Sequence, residues 1–128
     1  MTPLLSAAEI EAALDDLYTQ MFDDPMVGFF FVGKDKGKIV REQVPLVRRM
    51  LGEASVAYEG KPIPEAHASL PILPGHFDRR HLLLREVLER RGVAVDARER
   101  WLEIDRGFRD AVLKLGAHRI DELNGAPR

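Results

Sequence analysis

Apolar residues recur at helical spacing in four separate stretches of this chain, and no stretch alternates as a half-buried strand would. The first helix starts at Ser6, because Ser6 as N-cap with Glu9 three residues on makes a capping box. Ile10, Leu14, Leu17, Tyr18 and Met21 follow on one face. Asp23-Asp24-Pro25 ends that helix, since proline disfavours a helical residue before it. A short apolar piece, residues 26–32, holds Phe29, Phe30 and Phe31, and a Gly- and Lys-rich loop covers 33–37. The next helix is expected over 38–51, with Ile39, Leu46, Val47 and Met50 as its stripe and Gln43 inside that stripe. Pro45 interrupts it. A helix-interior proline costs about 3 kcal/mol, so a kink or restart is expected near 41–45.

Residues 53–75 contain Pro62, Pro64, Pro71, Pro74 and Gly60 and read as loop, with one helical turn around 65–69. A long helix is expected over 77–91, with Leu83, Leu84, Val87 and Leu88 inward and Gly92 as its cap. The last main helix is expected over 96–115, with Trp101, Ile104, Phe108, Val112 and Leu115 as its stripe. The fold class is all-α, one domain over 1–128, with a tail that frays from about residue 120.

Composition removes several functions. With no cysteine there are no disulfides, thiolate metal sites or cysteine nucleophiles. A net charge of −2 argues against a nucleic-acid binder, and the Arg pairs at 48–49, 79–80 and 90–91 read as solvated helix faces. The N-terminus has neither a basic start nor a long apolar run, and no stretch is apolar enough to cross a membrane, so a cytoplasmic protein is expected. None of Ser6, Ser55 and Ser69 sits in a nucleophile elbow, and 33–37 lacks the phosphate-loop pattern.

The informative residues break the apolar pattern. Tyr18 and Gln43 lie on inward faces, where an unpaired polar group costs about 1–3 kcal/mol. They are either core residues with local partners or groups aimed at a polar ligand. Of the histidines His67, His76, His81 and His118, no pair has the i,i+4 zinc-ligand spacing that puts two ligands on one helix face.

Leu17-Tyr18 through Asp23-Asp24-Pro25 to Phe29-Phe30, then Met50-Leu51-Gly52, Tyr58-Glu59-Gly60-Lys61-Pro62 and Glu65-Ala66-His67, and finally His76-Phe77-Asp78 together resemble the truncated haemoglobins. The resemblance spans roughly residues 10–115 and is greatest to group I. It implies a globin-like two-over-two helical sandwich around haem b. His76 would then be the proximal iron ligand. Phe30, Leu46, Val47, Met50, Phe77 and Tyr58 would contact the haem. Tyr18, Gln43 and Ile39 would line the distal side, with the Tyr18 hydroxyl donating to a bound ligand. The chain departs from the pattern at Pro45, at Glu42 and at Gly52-Glu53. His67 would sit near the haem edge or in solvent, His81 on a partly exposed helix face, and His118 at a solvent-facing helix end rather than linked to haem.

The function implied is binding of oxygen, nitric oxide or carbon monoxide at a five-coordinate ferrous haem. Nitric oxide dioxygenation, peroxide handling or gas sensing would follow from it. Turnover would need a separate reductase, because the 128 residues carry no flavin or nicotinamide motif. The alternative is a haem-free globin-fold interaction or signalling module. A third reading is a non-haem metal site built from His67, His76 and Glu65.

Overall fold

The computed structural model describes residues 4–53 and 72–113. Ser6 and Glu9 start α1 (Ala7–Asp23) by reciprocal bonds. The Glu9 amide donates to Ser6 Oγ and the Ser6 amide to Glu9 Oε1, each at 3.1 Å. The anticipated face is buried, from Ile10 through Leu14, Leu17 and Tyr18 to Met21. A single 3-10 turn, η1 (Gly28–Phe31), carries the phenylalanines. Gly28 lies so close to α1 that a Cβ there would come within 2.8 Å of the Phe22 carbonyl oxygen, which fixes a glycine at this crossing.

Helix α2 (Lys36–Met50) begins two residues before its expected start. Asp35 is the reason, because its carboxylate accepts the Lys38 amide at 3.2 Å as an N-cap. The helix runs through Pro45 with no restart. Its buried positions are Val40 and Val47, with Leu51 just beyond, while Ile39, Leu46 and Met50 are half-buried on the flank. Helix α3 (Pro74–Arg90) also starts early, with proline at its first position, where the missing N–H costs nothing. Leu83, Leu84, Val87 and Leu88 are buried as expected. Gly92 adopts φ +67° just past the end, and the Val93 amide reaches back to the Leu88 carbonyl at 3.1 Å. Helix α4 (Val95–Gly107) stops short of the single long helix expected, and helical backbone resumes over 109–113 after a turn at Phe108.

All the regular structure among the described residues is helical. Helices α1 and α2 pack on each other, as do α3 and α4, and the pairs meet through α1 on α3 and α2 on α4. This is a two-over-two stack around one core, in which Ile10, Leu14, Leu17, Leu84, Leu88 and Trp101 are almost wholly excluded from solvent. No described helix is long and apolar enough to cross a membrane.

Asp24 locks the α1 end to α3. One carboxylate oxygen accepts the Met26 and Val27 amides at 2.9 and 3.2 Å, and the other accepts Arg79 Nη2 at 2.8 Å and Nε at 3.0 Å. The Arg79 hydrogen bond, against the effect of burial and with help from the two amides, holds the Asp24 carboxyl below its ordinary value. Its contribution is therefore present above the unfolded carboxyl pKa and disappears as pH falls through the lower folded one. Asp24→Asn should cost about 1–3 kcal/mol near pH 7. In urea melts the gap from wild type should narrow in acid; a gap independent of pH would show that the charge is not what matters.

Candidate functional site

The three phenylalanines of η1 split between two contacts. Phe31 stacks on Phe22 at 4.8 Å and meets the Tyr18 ring edge-on at 5.9 Å. Phe29 and Phe30 lie 4.1 Å apart, and both stand edge-on to the His76 ring, at 5.6 and 5.0 Å. Phe30 and His76 are thus in direct contact, and Phe77 is buried in the first turn of α3. Gln43, Ile39, Leu46 and Met50 are half-buried on α2, and Val47 is buried there. Tyr58, His67, Glu65 and His118 lie outside the described residues.

His76 occupies the third position of α3, and its Nδ1 accepts the Leu73 amide at 3.0 Å. The ring therefore acts as a helix cap. An imidazole that accepts at Nδ1 carries its proton on Nε2, the atom through which it was expected to bind iron. Ligation of iron through Nε2 would require the ring to give up this contact.

Two expectations fail on this helix. Arg79 and Arg80 are not a solvated pair, because Arg79 is bound to Asp24 and Arg80 Nη1 donates to Asp105 at 2.6 Å. His81 is not on an exposed face. It is buried, with Nδ1 2.8 Å from Asp105 and Nε2 lacking any hydrogen-bond partner. Asp105, on α4 and 5% exposed, holds both groups. Burial pushes the Tyr18 phenol above its ordinary value, and Arg80 opposes that rise. Burial also works against the Asp105 charge, yet Arg80 and His81 hold its carboxyl below the usual range. Sequence reasoning missed Arg80, His81 and Asp105. The signal was there in part: His81 and Leu84 are three residues apart, so they share a helical face.

The apolar surface is incompletely covered around η1 and the start of α3. Phe29 is 55% exposed, Met26 47% and Leu73 51%, and Phe29 lies against the half-buried Phe30. Large apolar residues left open next to polar ones mark a binding surface. A broad, flat, apolar group such as a porphyrin suits this set. Among the described residues no three metal-ligating side chains converge, so the non-haem metal reading gains no support from them. A cleft between Arg85, Glu99, Glu103 and Arg106 lies on the α3–α4 surface, apart from these residues.

The model of the bacterial-like globins matches residues 5–114. Among solved structures, the 2/2 haemoglobin from Synechococcus sp. PCC 7002, in the cyanomet state with covalently attached haem, superposes with a TM-score of 0.80. It is 24% identical, and the match covers 88% of this chain and 99% of that one. The truncated haemoglobin from Tetrahymena pyriformis in its Fe(III) form gives 0.75 at 24% identity, covering 83% and 90%. Chlamydomonas reinhardtii THB1 gives 0.71 at 24%, covering 85% and 91%. At this identity the likeness speaks for the fold. No curated protein matches.

Proposed function

Because the chain belongs to the bacterial-like globins, the truncated two-over-two globin family, we propose that it is a haem protein that binds a diatomic gas. The observation that carries this reading is the set of uncovered apolar residues at η1 and the start of α3, Phe29, Met26 and Leu73, with Phe30 and His76 against Phe29. Haem b would supply reversible binding of oxygen, nitric oxide or carbon monoxide at ferrous iron. Phe30, Leu46, Val47, Met50 and Phe77 would pack against it and exclude water, with Tyr58 completing the set. Tyr18 would be the main distal donor, with Gln43 and Ile39 beside it. We assign the chain to group I of the family. Nitric oxide dioxygenation would need a separate reductase as partner.

The iron needs an imidazole whose Nε2 carries a lone pair, and His76 spends Nδ1 as an acceptor. We therefore transfer the proximal role to His67. It belongs to the sequence connection between α2, which carries the distal candidates, and α3. Its segment, Glu65-Ala66-His67, is part of the resemblance to the family.

Absorption spectra of wild type, His67→Ala and His76→Ala after haem addition, reduced and with carbon monoxide, test this. His67→Ala should lose the histidine-ligated ferrous spectrum, and His76→Ala should keep it. The reverse pattern would return the ligand role to His76. A wild type that takes up no haem would sink the reading in favour of the interaction module.

A further inference from the structure

Asp24 is a buried carboxylate with both oxygens fully engaged. Its side chain is 5% exposed. Oδ2 accepts the Met26 and Val27 amides, and Oδ1 accepts both Nε and Nη2 of Arg79. An ionised carboxylate offers about four acceptor sites, so this one is saturated. The two halves of the set do different things. The amides bend the chain as it leaves α1, and the bend continues with the Gly28 amide on the Asp24 carbonyl at 2.8 Å and the Phe30 amide on the Val27 carbonyl at 3.1 Å. The arginine belongs to α3, one turn after His76. The corner that follows α1 is therefore tied to α3 twice. Asp24 meets Arg79, and Phe29 and Phe30 meet the His76 ring edge-on. The other anchors of η1, the close approach of Gly28 and the stack of Phe31 on Phe22, run to α1 and do not reach α3.

We propose that Asp24 and Arg79 are positioning residues that clasp the phenylalanine corner to the start of α3 and so slow the loss of haem. This inference rests on the haem reading above, in which Phe30 packs against the haem, and gives a retention role to two residues that the reading left unused. Edge-on contacts between rings are weak and tolerate sliding, so they do not fix a corner by themselves. Two parallel N–H bonds from a guanidinium to one carboxylate are stronger and directional. Burial of the carboxylate adds to this, because the low dielectric strengthens a paired charge and penalises an unpaired one. With the clasp closed, Phe29 and Phe30 cannot swing from His76 without breaking it. A flat cofactor lying on Phe30 then meets a wall that gives way only when the ion pair opens.

Asp24→Asn separates the two halves of the set. Its amide oxygen still accepts the Met26 and Val27 amides, but its NH2 then faces the Arg79 donors. Arg79→Met removes the other partner and keeps the bulk. Arg79→Lys keeps the charge and one donor at a time. Asp16→Asn is the control, because it cuts a second tie between α1 and α3 at the far end of α3, to Arg90 at 2.8 Å and Arg91 at 3.3 Å. Two quantities are measured on the full chain. Haem-loaded ferric protein is mixed with excess haem-free myoglobin, and transfer is followed by absorbance. The ring-proton NMR shifts of His76, which the two phenylalanine rings displace, are read before haem is added.

Asp24→Asn and Arg79→Met should each lose haem about tenfold faster, the equivalent of one charge-assisted hydrogen bond. Combining them should add little, because they open the same clasp. Arg79→Lys should lie between these variants and wild type, and it supplies the rate where the stronger changes prevent loading. In the clasp variants the His76 signals should move toward those of a histidine free of ring neighbours. Asp16→Asn should match wild type in both measurements. Normal uptake with an unchanged rate of loss overturns the inference and leaves the haem reading standing. Equal acceleration by Asp16→Asn overturns it too, because general loosening of α1 on α3 would do that without a clasp. Faster loss with unmoved His76 signals overturns the positioning role. A wild type that takes up no haem overturns both the inference and the reading it rests on.

Discussion

Asp105→Ala is expected to cost about 3 kcal/mol of stability. The carboxylate is buried, and it is the partner of Arg80 and of His81 Nδ1 at once. Removing one member of a buried pair leaves the other charge desolvated and uncompensated, which is why breaking such pairs costs more than forming them gains. The Arg80 side chain keeps 24% of its exposure, so some water can reach it, and the lower end of the range for buried pairs applies. Asp105→Asn keeps the shape and one acceptor and should cost less. Urea unfolding of both variants at neutral pH checks the order. A loss under about 1 kcal/mol for the alanine variant would mean that Arg80 swings out to solvent.

The sign of the pH dependence follows from the direction of the carboxyl shift. Burial would raise the Asp105 carboxyl, but the Arg80 charge and the hydrogen bonds from His81 and Arg80 outweigh it and leave it depressed. The contribution is then complete above the unfolded value, about 3.9. It fades as pH falls through the lower folded value. Wild type and Asp105→Asn should therefore converge in acid.

Much of the fold was legible because it follows from local rules. The Ser6–Glu9 box, the buried face of α1 and the Gly92 cap all depend on residues within a turn or two of one another. The starts of α2 and α3 were misplaced where two local signals competed. Asp35 was read as loop because it stands among glycines and lysines, and Pro74-Gly75 was read as loop although a proline also suits a first helical position. The end of α4 at Gly107 was missed because the apolar stripe continues past it through Phe108 and Val112.

The site was less legible, for a different reason. Tyr18 and Phe30 stood out because a polar group in an apolar stripe and a run of aromatics are both visible along the chain. Arg80 and Asp105 are 25 residues apart, and their partnership exists only once α3 and α4 pack. A sequence shows that a charge is present but not whether another helix brings its counter-charge. The cap that His76 forms is hidden for a related reason: its hydrogen bond comes from a backbone amide three residues earlier, which a motif of side chains does not display.

Trp101→Ala should be about as damaging as losing Asp105, at about 3–5 kcal/mol. Trp101 is 2% exposed and belongs to the core cluster shared by the four helices. Truncating it forfeits the largest buried side chain in the described residues and leaves a cavity that the rigid helices around it can fill only in part. Trp101 also lies four residues before Asp105, so both side chains project from one face of α4. An indole packed on that face would set the height at which Asp105 reaches Arg80 and His81. If so, the Trp101→Ala and Asp105→Asn losses should not add. The double variant should lose less than the sum, by more than the roughly 0.5 kcal/mol tolerated for independent sites. Trp101→Phe, which retains most of the packing, should leave the Asp105 contribution intact. Strict additivity of Trp101→Ala and Asp105→Asn in urea melts would separate the core from the buried ion pair, and would leave Asp105 held by its own two partners alone.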